Sequence, residues 1–367
     1  MIKTTSIQSL GVVLGLFASH VVFSAESSLP RSMPEAHGVS SVSILKFVQA
    51  ADKELDAIHS FMLVRDGHVI AECWWAPESP DKPHIMWSLT KSFTSTAVGL
   101  AQAEGKLAID DKVLKYFPDD APNNPSENLK EMRIRDLLTM TAGHELPPRV
   151  RESDADWVKQ FLAHSVKHKP GTFFRYNTAA SYMLGVIVKK TTGENLIEYL
   201  EPRLFKPLGI AKPKWETCPQ EITIGGYGLH VCTEDIAKFG QLYLQKGKWN
   251  GKQIVPESWV NMATSKQVDN SKGIIMPHSD WLVGYGFQFW QCRHGAYRGD
   301  GKGGQFCIVM PQYNTVVAMT ANNADMQVQL NLVWKYLLPA LKNKPLPSNE
   351  KGLRKLKQTV AGLKASK

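Results

Sequence analysis

A chain of 367 residues with 43% hydrophobic content carries ample apolar material for a large core, and its length fits one or two domains. A formal net charge of +9 would suggest a nucleic-acid partner, but residues 341–367 hold eight lysines and arginines against Glu350 alone. The rest of the chain is nearly neutral, so no nucleic-acid-binding body is expected. The cysteines at 73, 218, 232, 292 and 307 form no Cys-x-x-Cys pair, which argues against a metal site. An oxidising compartment would permit pairing of Cys218 with Cys232 or of Cys292 with Cys307, and the spacing does not choose between them.

In chain order, Met1-Ile2-Lys3 precedes a mostly apolar Leu10 to Phe17 and then Phe23-Ser24-Ala25, the layout of a secretory signal peptide. Residues 1–25 are read as that signal, with the mature chain secreted or periplasmic. Phe61 to Arg65, Asp66-Gly67 and His68 to Trp75 predict a β-hairpin, because Asp-Gly accepts the positive φ of a tight turn. A helix follows with no charge from Ser92 to Ala103, its Phe93, Ala97, Leu100 and Ala101 at helical spacing and Glu104-Gly105 as a stop. Further helices are predicted at Ile134–Met140, Asp154–His164, Ala179–Thr191, Leu196–Phe205 and Thr233–Gly247. Short β-rich runs at Gly286–Cys292, Ala296–Arg298, Phe306–Met310 and Thr315–Thr320 have connections too short for crossovers, so their sheet is antiparallel.

The expected fold is mixed α/β (α+β). Residues 26–340 form one domain, an antiparallel sheet from about 26–105 and 285–340 flanked by helices, with a helical insertion at about 106–284. In the basic tail, 341–367, Leu353, Leu356, Val360 and Leu363 recur at helical spacing. They predict an amphipathic helix, docked on the body or in weak contact with an anionic membrane or cell wall, with a solvated tail as the alternative.

The chain contains three Ser-x-x-Lys tetrads, Ser43 to Lys46, Ser88 to Lys91 and Ser348 to Lys351. Residues three apart on a helix share a face, so the hydroxyl and the amine can meet. Only the second opens an uncharged helix, where a buried lysine must find partners or lose its proton, and a desolvated lysine can act as a base toward serine. A second cluster, Pro170 to Gly185, places Tyr176 at a turn before a helix, and a cation near a phenol favours phenolate. A third, Gly299-Asp300-Gly301-Lys302-Gly303-Gly304, runs into the strand at Phe306, where glycines allow close approach by a ligand and a strand edge can offer an N–H to an oxyanion.

In that order these clusters resemble the class C β-lactamase and D,D-peptidase-like serine hydrolases, a family that includes esterases and 6-aminohexanoate-dimer hydrolases. The resemblance runs from about His59 to Leu338 and takes in Asp136 to His144, Leu204 to Gly209 and Asp235 to Leu242. It implies a penicillin-binding-protein fold without metal or other cofactor and a Ser88 nucleophile that forms an acyl-enzyme. It also implies Lys91 and Tyr176 as the proton-transfer pair and an oxyanion held by the N–H groups of Ser88 and Lys302. Trp87, next to Ser88 in the sequence, is a candidate to line an acyl pocket.

Two departures bear on substrate. The family's Tyr-x-Asn reads Tyr176-Asn177-Thr178, so Asn177 stands one position early for its contact with lysine and substrate. The Lys-Thr-Gly that helps recognise a carboxylate is replaced by Gly299-Asp300-Gly301. A carboxylate-bearing substrate would meet a repulsive Asp300 unless Arg298 or Lys302 compensates. The expected activity is therefore cleavage of a small neutral or amine-bearing ester or amide. The alternatives are β-lactamase or D,D-peptidase activity, and, in another class, a catalytically silent cell-wall binding protein. His84 and His144 lack carboxylate partners in the sequence and read as structural. Trp74, Trp75 and Trp290 read as packing.

Overall fold

The computed structural model describes residues 28–152, 155–211, 213–274 and 276–364. The signal peptide expected over residues 1–25 lies outside the described residues. Helix α1 (Ser41–Glu54) leads into the hairpin of β1 (Ile58–Arg65) and β2 (His68–Trp74), followed by helix α2 (Thr90–Ala103). Helices α3 (Thr178–Thr192) and α4 (Thr233–Leu244) belong to the intervening region. The chain then returns with β3 (Trp290–Gln291), β4 (Tyr297–Gly301), β5 (Gln305–Met310) and β6 (Thr315–Ala321), and ends in α5 (Met326–Leu332) and α6 (Glu350–Ala361). The main sheet has the order β2-β1-β6-β5-β4-β3 and its neighbours are antiparallel.

The sheet is buried on both faces, and the period of two in its strands explains how. Met62, Val64, Cys307, Val309, Val316 and Ala318 point into a core shared with α2, α3 and α4. Their alternates Phe61, Leu63, Phe306, Ile308, Val317 and Met319 point into a second core shared with α1, α5 and the tail helix. The result is a helix–sheet–helix sandwich. Tail helix α6 docks on α1, with Leu356 and Leu363 buried.

The strand expected over Gly286–Cys292 is paired only at Trp290–Gln291 within the main sheet. Gln288 explains this: its φ is 64°, its N–H donates to Leu138 O at 3.2 Å, and Phe287 and Phe289 are both buried. No disulfide forms among the five cysteines. Cys292 and Cys307 belong to the cores on opposite faces of the sheet, while Cys218 Sγ lies 3.3 Å from the Tyr182 hydroxyl.

Candidate active site

Helix α2 is buried along its length from Thr90 to Ala101, and the hydroxyls that replace charge on it are satisfied by neighbours. Ser92 Oγ donates to Gln288 O at 2.9 Å, Thr94 Oγ1 to Gly225 O at 2.7 Å, and Thr96 Oγ1 lies 2.7 Å from the Tyr243 hydroxyl. Ser88 sits just ahead of this helix, in the tight turn Trp87–Leu89. The turn is held from one side by the Met86 N–H, which donates to Leu229 O at 2.7 Å. Trp87 has φ 44°, a left-handed conformation costly for a bulky residue and concentrated at functional sites.

The end of β4 presses on the same turn. A Cβ on Gly301 would fall 2.1 Å from Met86 O and 3.1 Å from Ser88 N, so only glycine allows the approach. Among the described residues, neither the Ser88 N–H nor the Lys302 N–H donates to a protein acceptor. Two backbone donors are thus left at the junction beside the Ser88 hydroxyl.

Lys91, one turn along α2, is 1% exposed. Its Nζ lies 3.0 Å from Ser88 Oγ and 3.3 Å from Thr178 Oγ1, and donates to Gly226 O at 2.7 Å. Burial pushes its pKa down to about 7, opposed by Asp300 and assisted by the like charge of Arg151. The other two Ser-x-x-Lys tetrads place their lysines in solvent.

Tyr176 completes the array. Its ring stacks on Trp290 at 5.6 Å, and Lys91 Nζ stands 5.0 Å from the ring centroid. Burial and then the Asp300 carboxylate push the phenol pKa above its ordinary value, while a hydrogen bond with Ser88 pulls the other way. The expectation of an easily formed phenolate is therefore corrected. The lysine that was to supply the positive charge is itself near half-neutral at pH 7, and a carboxylate faces the ring from β4.

Asp300 is the second correction. It is not an unpaired carboxylate: Arg298, two residues earlier and thus on the same strand face, donates from Nε to Asp300 Oδ2 at 2.9 Å. Both are buried, and the Arg298 guanidinium lies 4.3 Å from the Trp281 ring centroid. Burial raises the Asp300 pKa, opposed by Arg298 and by Lys91. Lys302 is exposed, with Nζ 5.6 Å from the Trp87 ring.

Asn177 is a third correction, because its side chain is spent on structure. Its Oδ1 accepts from Ala180 N at 3.2 Å, capping α3, and its amide lies 3.2 Å from His144 Nδ1. Thr178, the next residue, makes the contact to Lys91 instead. Trp290 packs against Tyr176 and, edge to face, against Tyr285. His84 lies 3.5 Å from Glu78 and stacks near His59, whereas His144 is buried against Phe161; burial lowers the pKa of each to about 4. Trp75 is core, with Nε1 donating to Asp52 at 2.8 Å. Thr178, Gly226 and Arg151 were not singled out from sequence, and the third position of the tyrosine motif was the signal that could have found Thr178. Among the described residues no group of three His, Cys, Asp or Glu is placed to hold a metal ion.

The Beta-lactamase family matches residues 51–340, and the chain belongs to that family. It is a serine hydrolase of this class. It is 25% identical over 289 residues to the 6-aminohexanoate-dimer hydrolase of Paenarthrobacter ureafaciens, covering 72% of this chain and 73% of that one. It is 24% identical over 213 residues to the Escherichia coli protein named "Putative D-alanyl-D-alanine carboxypeptidase", a match spanning 50% of this chain and 49% of that protein. Among solved structures, EstCE1, a hydrolase with promiscuous acyltransferase activity, superposes with a TM-score of 0.65 at 19% identity, covering 80% of this chain and 98% of that one.

Proposed function

We propose that the protein hydrolyses a small ester or amide through an acyl-enzyme on Ser88. The observation that carries this reading is the Lys91 amine, fully enclosed, with a pKa of about 7, and 3.0 Å from the Ser88 hydroxyl. A neutral Lys91 takes the Ser88 proton as Oγ attacks the carbonyl carbon. The oxyanion is received by the N–H groups of Ser88 and Lys302, near which Gly301 leaves room. Tyr176, held protonated, donates to the leaving oxygen or nitrogen and recovers its proton from the Lys91 ammonium. Water then attacks the ester carbonyl by the reverse set of transfers, releasing the acid and restoring Ser88.

The reading is tested with p-nitrophenyl butyrate under stopped flow. A burst of one p-nitrophenolate per enzyme followed by slower turnover is expected, and loss of both in Ser88→Ala. Full turnover in Ser88→Ala would overturn it.

Export is part of the same proposal, resting on the Leu10 to Phe17 run and on Phe23-Ser24-Ala25. Among the described residues no helix is long and apolar enough to cross a membrane. N-terminal sequencing of protein recovered from outside the cytoplasm should begin near Ala25 or Glu26.

A further inference from the structure

Beside the catalytic array lies a cavity of about 240 Å³ whose walls include Trp157, Tyr176, Thr178, Tyr182, Ile224 and Tyr227. Tyr176 and Thr178 line this cavity and also stand against Lys91, so the cavity adjoins the Ser88–Lys91 site. Pro147 to Arg151 also line the cavity, with Arg149 and Arg151 exposed to solvent. Among the described residues that line the cavity, the charged ones are Arg149 and Arg151, and none is Asp or Glu.

Arg151 is exposed, its guanidinium is 5.6 Å from the Tyr227 ring centroid, and its charge is felt at Lys91. It is within electrostatic reach of the reacting atoms. Two described carboxylates bear on this region: Asp300 is bound to Arg298 on β4 and is still felt at Lys91 with the sign opposite to that of Arg151, and Glu216, felt at Tyr227, lies 3.3 Å from His230. Lys302, with Nζ 5.6 Å from the Trp87 ring, is a second exposed cation beside the Ser88 turn.

We infer that Arg151 selects substrates whose acyl group ends in a carboxylate, seated in the aromatic cavity beside Tyr176. This deepens the hydrolase reading and rests on it. A guanidinium on a concave aromatic wall is suited to a terminal carboxylate, which it can bind through two parallel hydrogen bonds. A short dicarboxylic half-ester or half-amide supplies one carbonyl for Ser88 and one carboxylate for Arg151.

The test compares mono-p-nitrophenyl glutarate with p-nitrophenyl pentanoate, which have acyl chains of the same length and differ in the terminal group, after subtraction of spontaneous hydrolysis. The expected result is a kcat/KM at least fivefold higher for the glutarate. In Arg151→Gln that ratio should fall to one or below through KM, and Arg151→Lys should retain most of it. A wild-type preference for the pentanoate, or a ratio untouched by Arg151→Gln, overturns the inference while leaving Ser88 chemistry intact. Failure of both esters together with no fluorophosphonate adduct on Ser88 would instead overturn the hydrolase reading, and this inference with it.

Discussion

The two flanks of the Ser88 cleft handle charge in opposite ways. On the β4 side, Arg298 and Asp300 are both buried and locked to each other at 2.9 Å. On the other side, Arg151 stands exposed at the cavity and meets the Tyr227 ring. The buried pair is a structural element whose carboxylate is still felt by Lys91 and Tyr176, while the exposed cation stands where an incoming molecule meets it. A carboxylate in a motif therefore says little about selectivity until its partner is known, because a bound counter-charge weakens what a ligand meets.

The largest effect that would break this picture concerns the amine between the two flanks. Lys91→Ala should lower kcat/KM for p-nitrophenyl butyrate by about 10³ or more, and Tyr176→Phe combined with it should add little, since the two act as a unit. Steady-state kinetics of the single and double variants decide this, and multiplying effects would contradict the shared role.

Removing one member of the buried pair should be felt as stability. Arg298→Met leaves Asp300 uncompensated and is expected to cost about 3–5 kcal/mol in chemical denaturation. Arg151→Gln should stay within about 0.5 kcal/mol of wild type in the same measurement, as an exposed site does.

The two flanks should also move the acid limb of the pH profile in opposite directions. With Lys91 as base and its pKa at about 7, kcat/KM rises as pH passes through 7 and the ammonium is lost. Asp300 holds that pKa up, so Asp300→Asn should shift the limb to lower pH; Arg151 holds it down, so Arg151→Gln should shift it to higher pH. Profiles taken with a neutral ester and moving in the same direction would break the comparison.

The smallest expected effect separates Asn177 from Thr178. Asn177→Ala removes a helix cap and should cost about 1 kcal/mol of stability, while Thr178→Ala removes a contact to Lys91 and should act on kcat instead. Thermal melts beside kinetics distinguish the two.

Much of the fold was legible because its signals are local. The Asp66-Gly67 turn, the uncharged run after Ser88 and the short continuous apolar run Phe306 to Met310 each specify their element without reference to the rest of the chain. Phe287 to Phe289 misled because apolar residues at alternate positions suit a strand, and nothing local reveals that Gln288 N–H is taken by Leu138. At the site, Ser88 and Lys91 could be read from a three-residue spacing on one helix. Arg298 and Asp300 are two apart on a strand, so their shared face was equally legible, but the depth that makes the pair a closed unit was not. Thr178 and Gly226 meet the lysine from positions 87 and 135 residues away, and the charge of Arg151 is felt there from 60 residues away; tertiary packing, such as that of α3 on α2, places them.

The central claim is that Ser88 is the nucleophile and that a buried, neutral Lys91 is what activates it. The most direct measurement is the rate of fluorophosphonate labelling against pH, with the adduct located by peptide mass spectrometry. One adduct is predicted, on the peptide carrying Ser88, with a labelling rate that rises through an inflection near pH 7 and is abolished in Lys91→Ala. An adduct on another serine, or Ser88 labelling that is independent of pH and survives loss of Lys91, would contradict the account.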